Sequence, residues 1–244
     1  MKKVLPNIID ASQSAFITGR GLLDNVLVAN EVVEEIKRRK RSRVIVKVDF
    51  EKAYDFVSWE FLYYMMSRVG FYNKWIMWMK GYLESSTISV LENGSPTQEF
   101  KPTRGLRQVD PLAPFLFLIV AEGLAGLVRN SITKQVYKGL KVGKNNVGVN
   151  LLQFADDTLF VCEANLQNIM AIKSILRCFE IGLGLKVNFH KSKIGDLVVD
   201  KNVIQRYSKV LNYNRFNHMR GPRFRYKISI GSSTSKLSQL GPIF

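Results

Sequence analysis

Cysteine is nearly absent. The 244-residue chain has two, Cys162 and Cys178. Two cannot build a disulfide framework, and neither belongs to a CxxC pair that would suggest zinc, so a reducing compartment is the default. A secretory leader is also lacking, because no apolar core follows the basic opening of MKKVLPNIID. The protein is therefore expected to be nuclear or cytoplasmic and not secreted. The longest apolar stretch, Pro111 to Val128, is interrupted by Pro114 and Glu122 and reads as too short to cross a bilayer, so no membrane partner is expected. No internal repeat is visible. Acidic residues are scarce beside basic ones, with 20 Asp and Glu against 36 Lys and Arg, a formal charge of +16. Such a surplus points to a polyanionic partner, with nucleic acid the first candidate. Hydrophobic residues at 46% and charged residues at 23% are a globular balance and exclude disorder of the whole chain.

The positive charge is concentrated. Residues 37–43 hold six cations and no anion, either a phosphate-contacting or nuclear-import patch or a solvated loop between a helix and a strand. Residues 196–244 carry nine Lys and Arg against Asp196 and Asp200, end in a Ser-rich run, and read as a poorly ordered tail distinct from a domain at 1–195. Within that domain, apolar spacing predicts a helix over 22–37 with Asp24 as N-cap, and an alternating strand over 44–50. Helices are expected from Ser58 to Gly70 and over 74–83. An Asn93-Gly94 hairpin follows, then a buried helix over 113–129. A hairpin over 149–162, a helix over 165–181 and a short strand over 186–189 complete the pattern. The order is that of a βαββαβ unit, an α+β arrangement with an antiparallel sheet backed by helices on one face.

Three carboxylates carry the chemistry. Asp49 ends an apolar strand, and Asp156 and Asp157 sit between the apolar runs of Gln153-Phe154-Ala155 and Thr158-Leu159-Phe160. Adjacent carboxylates repel each other and resist burial, and a divalent cation at a hairpin tip removes both costs. Magnesium suits an all-oxygen site, and a third carboxylate on a neighbouring strand would allow two ions about 3.5–4 Å apart, as in-line phosphoryl transfer requires. A plain polar turn is the other reading of Asp-Asp, and spacing does not separate the two.

Several segments around these residues resemble one family. Lys47-Val-Asp49-Phe-Glu-Lys52-Ala53-Tyr54-Asp55 is similar to motif A of reverse transcriptases from non-LTR retrotransposons, the LINE-type elements of plants. Arg104-Gly-Leu-Arg107-Gln108-Val109-Asp110-Pro111 resembles motif B, Phe154-Ala-Asp156-Asp157 motif C, and Gly184-Leu-Lys186-Val-Asn188 with Lys191-Ser192 motif D. Gln13-Ser-Ala-Phe16-Ile-Thr-Gly19-Arg20 with Asp24-Asn25 is similar to the fingers motif. The resemblance runs from about Leu5 to Ile194, with the motifs in family order. It implies a right-hand polymerase of fingers and palm, acting as an RNA-directed DNA polymerase on an RNA template, a DNA primer and dNTP. It implies two Mg2+ ions, with Mn2+ as a substitute, held by Asp49, Asp156 and the backbone carbonyl of Phe50, with Asp157 completing the cluster. Tyr54 would pack under the incoming sugar and exclude a ribose 2′-OH. Arg107 and Gln108 would contact template and nascent base pair, Arg20 the triphosphate, and Lys191 would donate a proton to pyrophosphate.

The chain departs from the family pattern at three positions. Val109 stands where the family has Gly, Phe56 replaces a small residue, and Leu183 replaces Ser. A β-branched residue at a glycine position is expected to store backbone strain or to push its methyls toward the nucleic acid. A thumb-leading YLGLPLG-like stretch is missing after Ile194, so a thumb is expected to be absent. Two alternatives stay open: a catalytically inactive remnant that only binds nucleic acid, and an unrelated basic RNA-recognition sheet. The sequence does not reveal the oligomeric state.

Overall fold

The computed structural model describes residues 1–40, 42–143, 146–196 and 199–215. The chain runs α1 (Leu5–Ile8), α2 (Leu22–Arg39), β1 (Arg43–Val48), α3 (Trp59–Arg68), α4 (Asn73–Glu84), β2 (Leu91–Glu92), β3 (Ser95–Pro96) and α5 (Ala113–Thr133). It continues through β4 (Leu140–Val142), β5 (Val147–Val149), β6 (Leu151–Phe154), β7 (Asp157–Glu163), α6 (Leu166–Leu183), β8 (Lys193–Asp196), α7 (Lys201–Leu211) and β9 (Asn214–Arg215).

One sheet organises the molecule, in the order β6-β7-β1-β8-β9. β1 lies antiparallel between β7 and β8, β6 is antiparallel to β7, and β9 joins β8 in parallel. The path β1, helices, β6, β7, α6, β8 is the expected βαββαβ. Strand alternation splits β1 between two cores. Val44, Val46 and Val48 join Phe160 and residues of α3, α5 and α6 in the larger core. Ile45 points the other way, to Val161 and to Val32, Val33 and Ile36 of α2, with Leu140, Val142 and Val149 of the β4–β5 hairpin. The sheet is thus covered on both faces, not on one. The apolar stripe of α2 has to be buried somewhere, and the second face of β1 and β7 is as apolar as the first.

Local chemistry explains most element ends. Ser58 caps α3 by accepting from the Phe61 N–H, and Gly184 ends α6 at φ +81°. Asn93 and Gly94, both at positive φ, make the tight turn between β2 and β3. The cations at 37–39 fall in the last turn of α2, where they complement the helix dipole, and Arg38 and Arg39 both pair with Glu35.

Other expectations need correction. Asp24 is not the N-cap of α2 but its third residue; Gly21 is the cap, and its N–H donates to the Asp24 carboxylate at 2.7 Å. Residues 186–189 form no strand, and only Val187 bridges to Phe50, while β8 begins at Lys193. Pro114 does not interrupt the apolar stretch, because it sits in the first turn of α5, where its missing N–H costs nothing. α5 is therefore long and apolar enough to span a membrane by length and composition, but it is the central core helix, with Leu116 to Glu122, Leu124 and Ala125 all buried. The boundary at 195/196 falls inside β8, and α7 beyond it is a packed amphipathic helix with Ile204, Tyr207 and Leu211 buried in the main core. Asp200 caps α7 through the Asn202 N–H. The expected tail from 216 to 244 lies outside the described residues.

Candidate active site

The β1–β7 register ends with Val48 opposite Thr158, so Asp49 and Asp157 are the next residues on the two strands. Asp156 occupies the two-residue turn between β6 and β7, beside Ala155. All three carboxylates thus gather at one end of the sheet, each half-buried. Their fields overlap. The Asp49 carboxyl is pushed above its ordinary range, first by burial and further by Asp157 and Asp156, while Lys191 and Lys47 pull it down. The Lys47 ammonium also pairs with Asp157 at 3.2 Å.

Both carboxylate-bearing segments are pinned through their backbones. The Asp49 N–H donates to Ser192 Oγ at 3.1 Å, the Asn188 N–H donates to the Asp49 carbonyl at 2.8 Å, and the Glu51 N–H to the Lys186 carbonyl at 2.8 Å. These bonds flank Phe50 and fix its peptide beside Asp49, while the Phe50 ring is buried against Phe179. In the β6–β7 turn, Ala155 has φ +52°, a left-handed conformation that costs a non-glycine residue about 1–2 kcal/mol. The Gln13 side-chain amide holds it there, with Oε1 accepting from the Ala155 N–H at 2.9 Å and Nε2 donating to the Ala155 carbonyl at 3.2 Å.

Tyr54 belongs to the same place. Its ring stacks on Phe117 of α5 at 4.7 Å and 17°. Its hydroxyl is pushed well above the usual range by burial and then by the Asp156 carboxylate, so the phenol stays protonated next to Asp156. Arg107 and Gln108 are placed along an adjoining cleft of about 320 Å³, which Asp55, Trp59, Tyr82 and Arg104 also line. Gln108 Nε2 donates to Asp55 at 3.4 Å, and Arg107 donates to the Thr87 carbonyl at 3.3 Å. The loop that carries them is fixed by Gly105, whose N–H donates to the Val57 carbonyl and whose own carbonyl accepts from Trp59 Nε1. At φ +90°, with the Asp55 carbonyl oxygen 2.7 Å from where a Cβ would be, only glycine fits this position.

The expected role of Arg20 fails on geometry, and of the two outcomes expected at Val109 backbone strain is not observed. The guanidinium of Arg20 does not point to a nucleotide; it donates to the backbone carbonyls of Pro6, Ile9, Asp10 and Gln13 at 2.7–3.1 Å. Val109 is 91% exposed and has no positive φ, because Gln108 and Val109 form the middle of a turn closed by the Asp110 N–H on the Arg107 carbonyl. Such a turn accepts a β-branched residue, so no backbone strain is stored there. Phe56, another departure, carries Arg104 4.6 Å above its ring.

The donors at the sheet end fit hard divalent cations: three carboxylates, one of them with its pKa already raised by burial and like charge. Among the described residues, however, no three His, Cys, Asp or Glu side chains are gathered closely enough to form a metal site as they stand. Lys47 provides part of the missing countercharge.

A family profile described as "Reverse transcriptase (RNA-dependent DNA polymerase)" matches residues 1–218. The chain belongs to the reverse transcriptase family. Among relatives, this reverse transcriptase domain is 29% identical over 182 residues to the Pol polyprotein of the type-2 retrotransposable element R2DM of Drosophila melanogaster, covering 75% of this chain. It is 27% identical over 206 residues to the 149 kDa protein of transposon TX1 of Xenopus laevis, covering 82% of this chain. It spans only 16% and 15% of those two proteins. Among solved structures, apo telomerase of Candida tropicalis superposes with a TM-score of 0.56 at 14% identity, over 80% of this chain and 34% of the telomerase. A C-terminally truncated form of that telomerase gives the same TM-score at 16% identity over 78% of this chain and 37% of that one. These two likenesses establish the fold, which agrees with the fingers-palm expectation.

Proposed function

We propose that this chain is the fingers-palm part of an RNA-directed DNA polymerase that transfers nucleotides from dNTP to a primer 3′-hydroxyl on an RNA template. The observation that carries the reading is the convergence of Asp49, Asp156 and Asp157 at one sheet end, with the buried Tyr54 phenol within the field of Asp156. Asp49, Asp156 and the Phe50 carbonyl would hold divalent ions, magnesium or manganese, which when bound supply activation of the primer hydroxyl and charge neutralisation on the triphosphate. Asp157, paired with Lys47, sets the charge of the pocket. The Tyr54 ring, rigid on Phe117, forms the floor under the sugar and excludes a 2′-hydroxyl by bulk. Lys191, whose charge pulls the pKa of Asp49 down, would give a proton to the leaving pyrophosphate. Arg107 and Gln108 line the cleft that would take template and nascent base pair. The +16 charge supplies the general attraction for template and primer.

The unstrained turn at Val109 removes backbone strain as a ground for treating the chain as an inactive remnant. The test is primer extension on an RNA template with purified protein in Mg2+ and in Mn2+. Incorporation that disappears in Asp156→Asn supports the reading; incorporation unchanged by that substitution places the chemistry elsewhere.

A further inference from the structure

The fingers motif of the sequence finds no nucleotide-contacting role in Arg20, but its first residue touches the catalytic turn. Gln13 is 1% exposed, and its side-chain amide meets both polar backbone groups of Ala155, the residue before Asp156. The two residues are 142 positions apart in sequence. Gln13 Oε1 accepts a second bond, from the Ala15 N–H at 3.0 Å, so both of its acceptor sites are filled. The Gln13 backbone is fixed in turn. Its carbonyl accepts from Arg20 Nη1 at 2.9 Å, and the flanking Ser12 carbonyl and Ser14 N–H pair with the backbone of Gln153 at 2.7 and 3.1 Å, extending the edge of β6.

We infer that Gln13, held in place by Arg20, is a positioning residue that fixes the Ala155 peptide and through it the Asp156 carboxylate. Three features require glutamine here. The Ala155 N–H needs an acceptor and the Ala155 carbonyl a donor, and among side chains of this length only glutamine's carries both in one plane. Glutamate would face the carbonyl with a second acceptor, methionine would leave both groups unpaired, and asparagine is one methylene too short. The positive φ of Ala155 means that the turn is not the relaxed state of the local chain, so an external clamp has something to hold. Burial of the clamp keeps water from replacing it.

This inference rests on the proposed polymerase reading, and two comparisons separate them. Mn2+ binding to the purified chain is measured by electron paramagnetic resonance for wild type, Asp156→Asn, Gln13→Met and Gln13→Glu, alongside single-nucleotide incorporation. Gln13→Met keeps volume and loses both bonds; Gln13→Glu keeps one. Both are expected to weaken Asp156-dependent Mn2+ binding and to lower kcat about tenfold to a hundredfold, the scale of a 1 Å displacement at a reacting centre, with KM for dNTP within about threefold. Adding Ala155→Gly to Gln13→Met should recover part of the loss, because glycine adopts positive φ without help. Losses that follow only the melting temperature, with Mn2+ affinity and kcat per folded molecule unchanged, would overturn the clamp and leave the polymerase reading standing. Equal Mn2+ binding by wild type and Asp156→Asn would overturn the polymerase reading, and the clamp's role with it.

Discussion

Lys47 Nζ lies 3.2 Å from the Asp157 carboxylate, reaching from β1 to the start of β7 two residues before Asp49 on its own strand. One cation therefore serves two of the three carboxylates, by direct contact with Asp157 and by pulling the pKa of Asp49 down. Replacing it with methionine leaves the same stem without the charge. Lys47→Met should destabilise the protein by about 1–3 kcal/mol, the usual worth of a bond between charged groups. Millimolar Mg2+ should restore more stability to the variant than to wild type, because a ligand that binds only the folded state stabilises it by mass action. Urea melts with and without Mg2+ measure both; identical Mg2+ effects in the two proteins would separate Lys47 from the ion site.

Gly105 and Gly94 make a matched pair for testing the cleft loop. Both have positive φ, +90° and +84°, but a Cβ at Gly94 meets nothing within 4 Å, whereas at Gly105 it meets the Asp55 carbonyl oxygen at 2.7 Å. Gly94→Ala should show conformational strain alone, about 1–3 kcal/mol. Gly105→Ala should cost more and should also move Arg107 and Gln108. Its effect on template affinity, read by RNA–DNA hybrid binding, is expected to exceed that of Gly94→Ala. Equal losses in the two variants would mean that the contact with Asp55 is released without consequence.

The Tyr54 ring is buttressed on one side by Phe117, so its position is set by packing as much as by its own backbone. Tyr54→Val should raise the use of ribonucleotides relative to deoxynucleotides by about ten- to a hundredfold, expressed as the ratio of kcat/KM values. Phe117→Leu, which removes the stacking partner but keeps the ring of Tyr54, should give a smaller change in the same direction. A discrimination ratio unmoved by Tyr54→Val would exclude this ring as the floor of the sugar pocket.

The carboxylate-bearing strand ends were legible because they are local. Val44 to Val48 is rich in β-branched residues and alternates in its second half, and Phe154-Ala-Asp156-Asp157 is a polar turn between two apolar runs. The residues that hold those ends were not, because Gln13 and Ser192 act on backbone groups 142 and 143 residues away, and their places in the fingers motif and motif D do not show which groups they bind. Arg20 shows the reverse error. A lone cation in a motif reads as a ligand contact, yet its four backbone acceptors come from α1 and the loop after it, whose path no periodicity predicts. α7 was missed for another reason: its stripe of Ile204, Tyr207 and Leu211 has helical spacing but covers only three residues beside many cations. β8, with the sequence Lys-Ile-Gly-Asp, has little strand propensity and exists because β1 offers it a second edge.

The middle of α5 gives a prediction in which two neighbouring carboxylates respond to pH in opposite directions. Arg129 bonds both Glu122, which is 6% exposed, and Asp10, and the Asp10 N–H donates to the Glu122 carboxylate at 2.7 Å. Burial raises the pKa of Glu122 more than Arg129 and the Asp10 N–H lower it. Asp10 also meets a burial penalty, but the bonds from Ser12 and Arg129 outweigh it and leave its pKa lowered. The folded state therefore binds a proton at Glu122 more tightly than the unfolded chain does, and one at Asp10 less tightly. The Glu122 contribution to stability must fall as pH rises from its unfolded value of about 4.3 through the raised folded value. The Asp10 contribution is complete above its unfolded value of about 3.9 and disappears as pH falls through the lowered folded value. Urea melts of wild type, Glu122→Gln and Asp10→Asn across the acid range test both signs. The advantage of wild type over Glu122→Gln should shrink as pH rises above about 4.3, and its advantage over Asp10→Asn should shrink as pH falls below about 3.9. Parallel slopes for the two variants would show that the pair titrates as a single unit through Arg129, and not as two carboxylates held apart by burial.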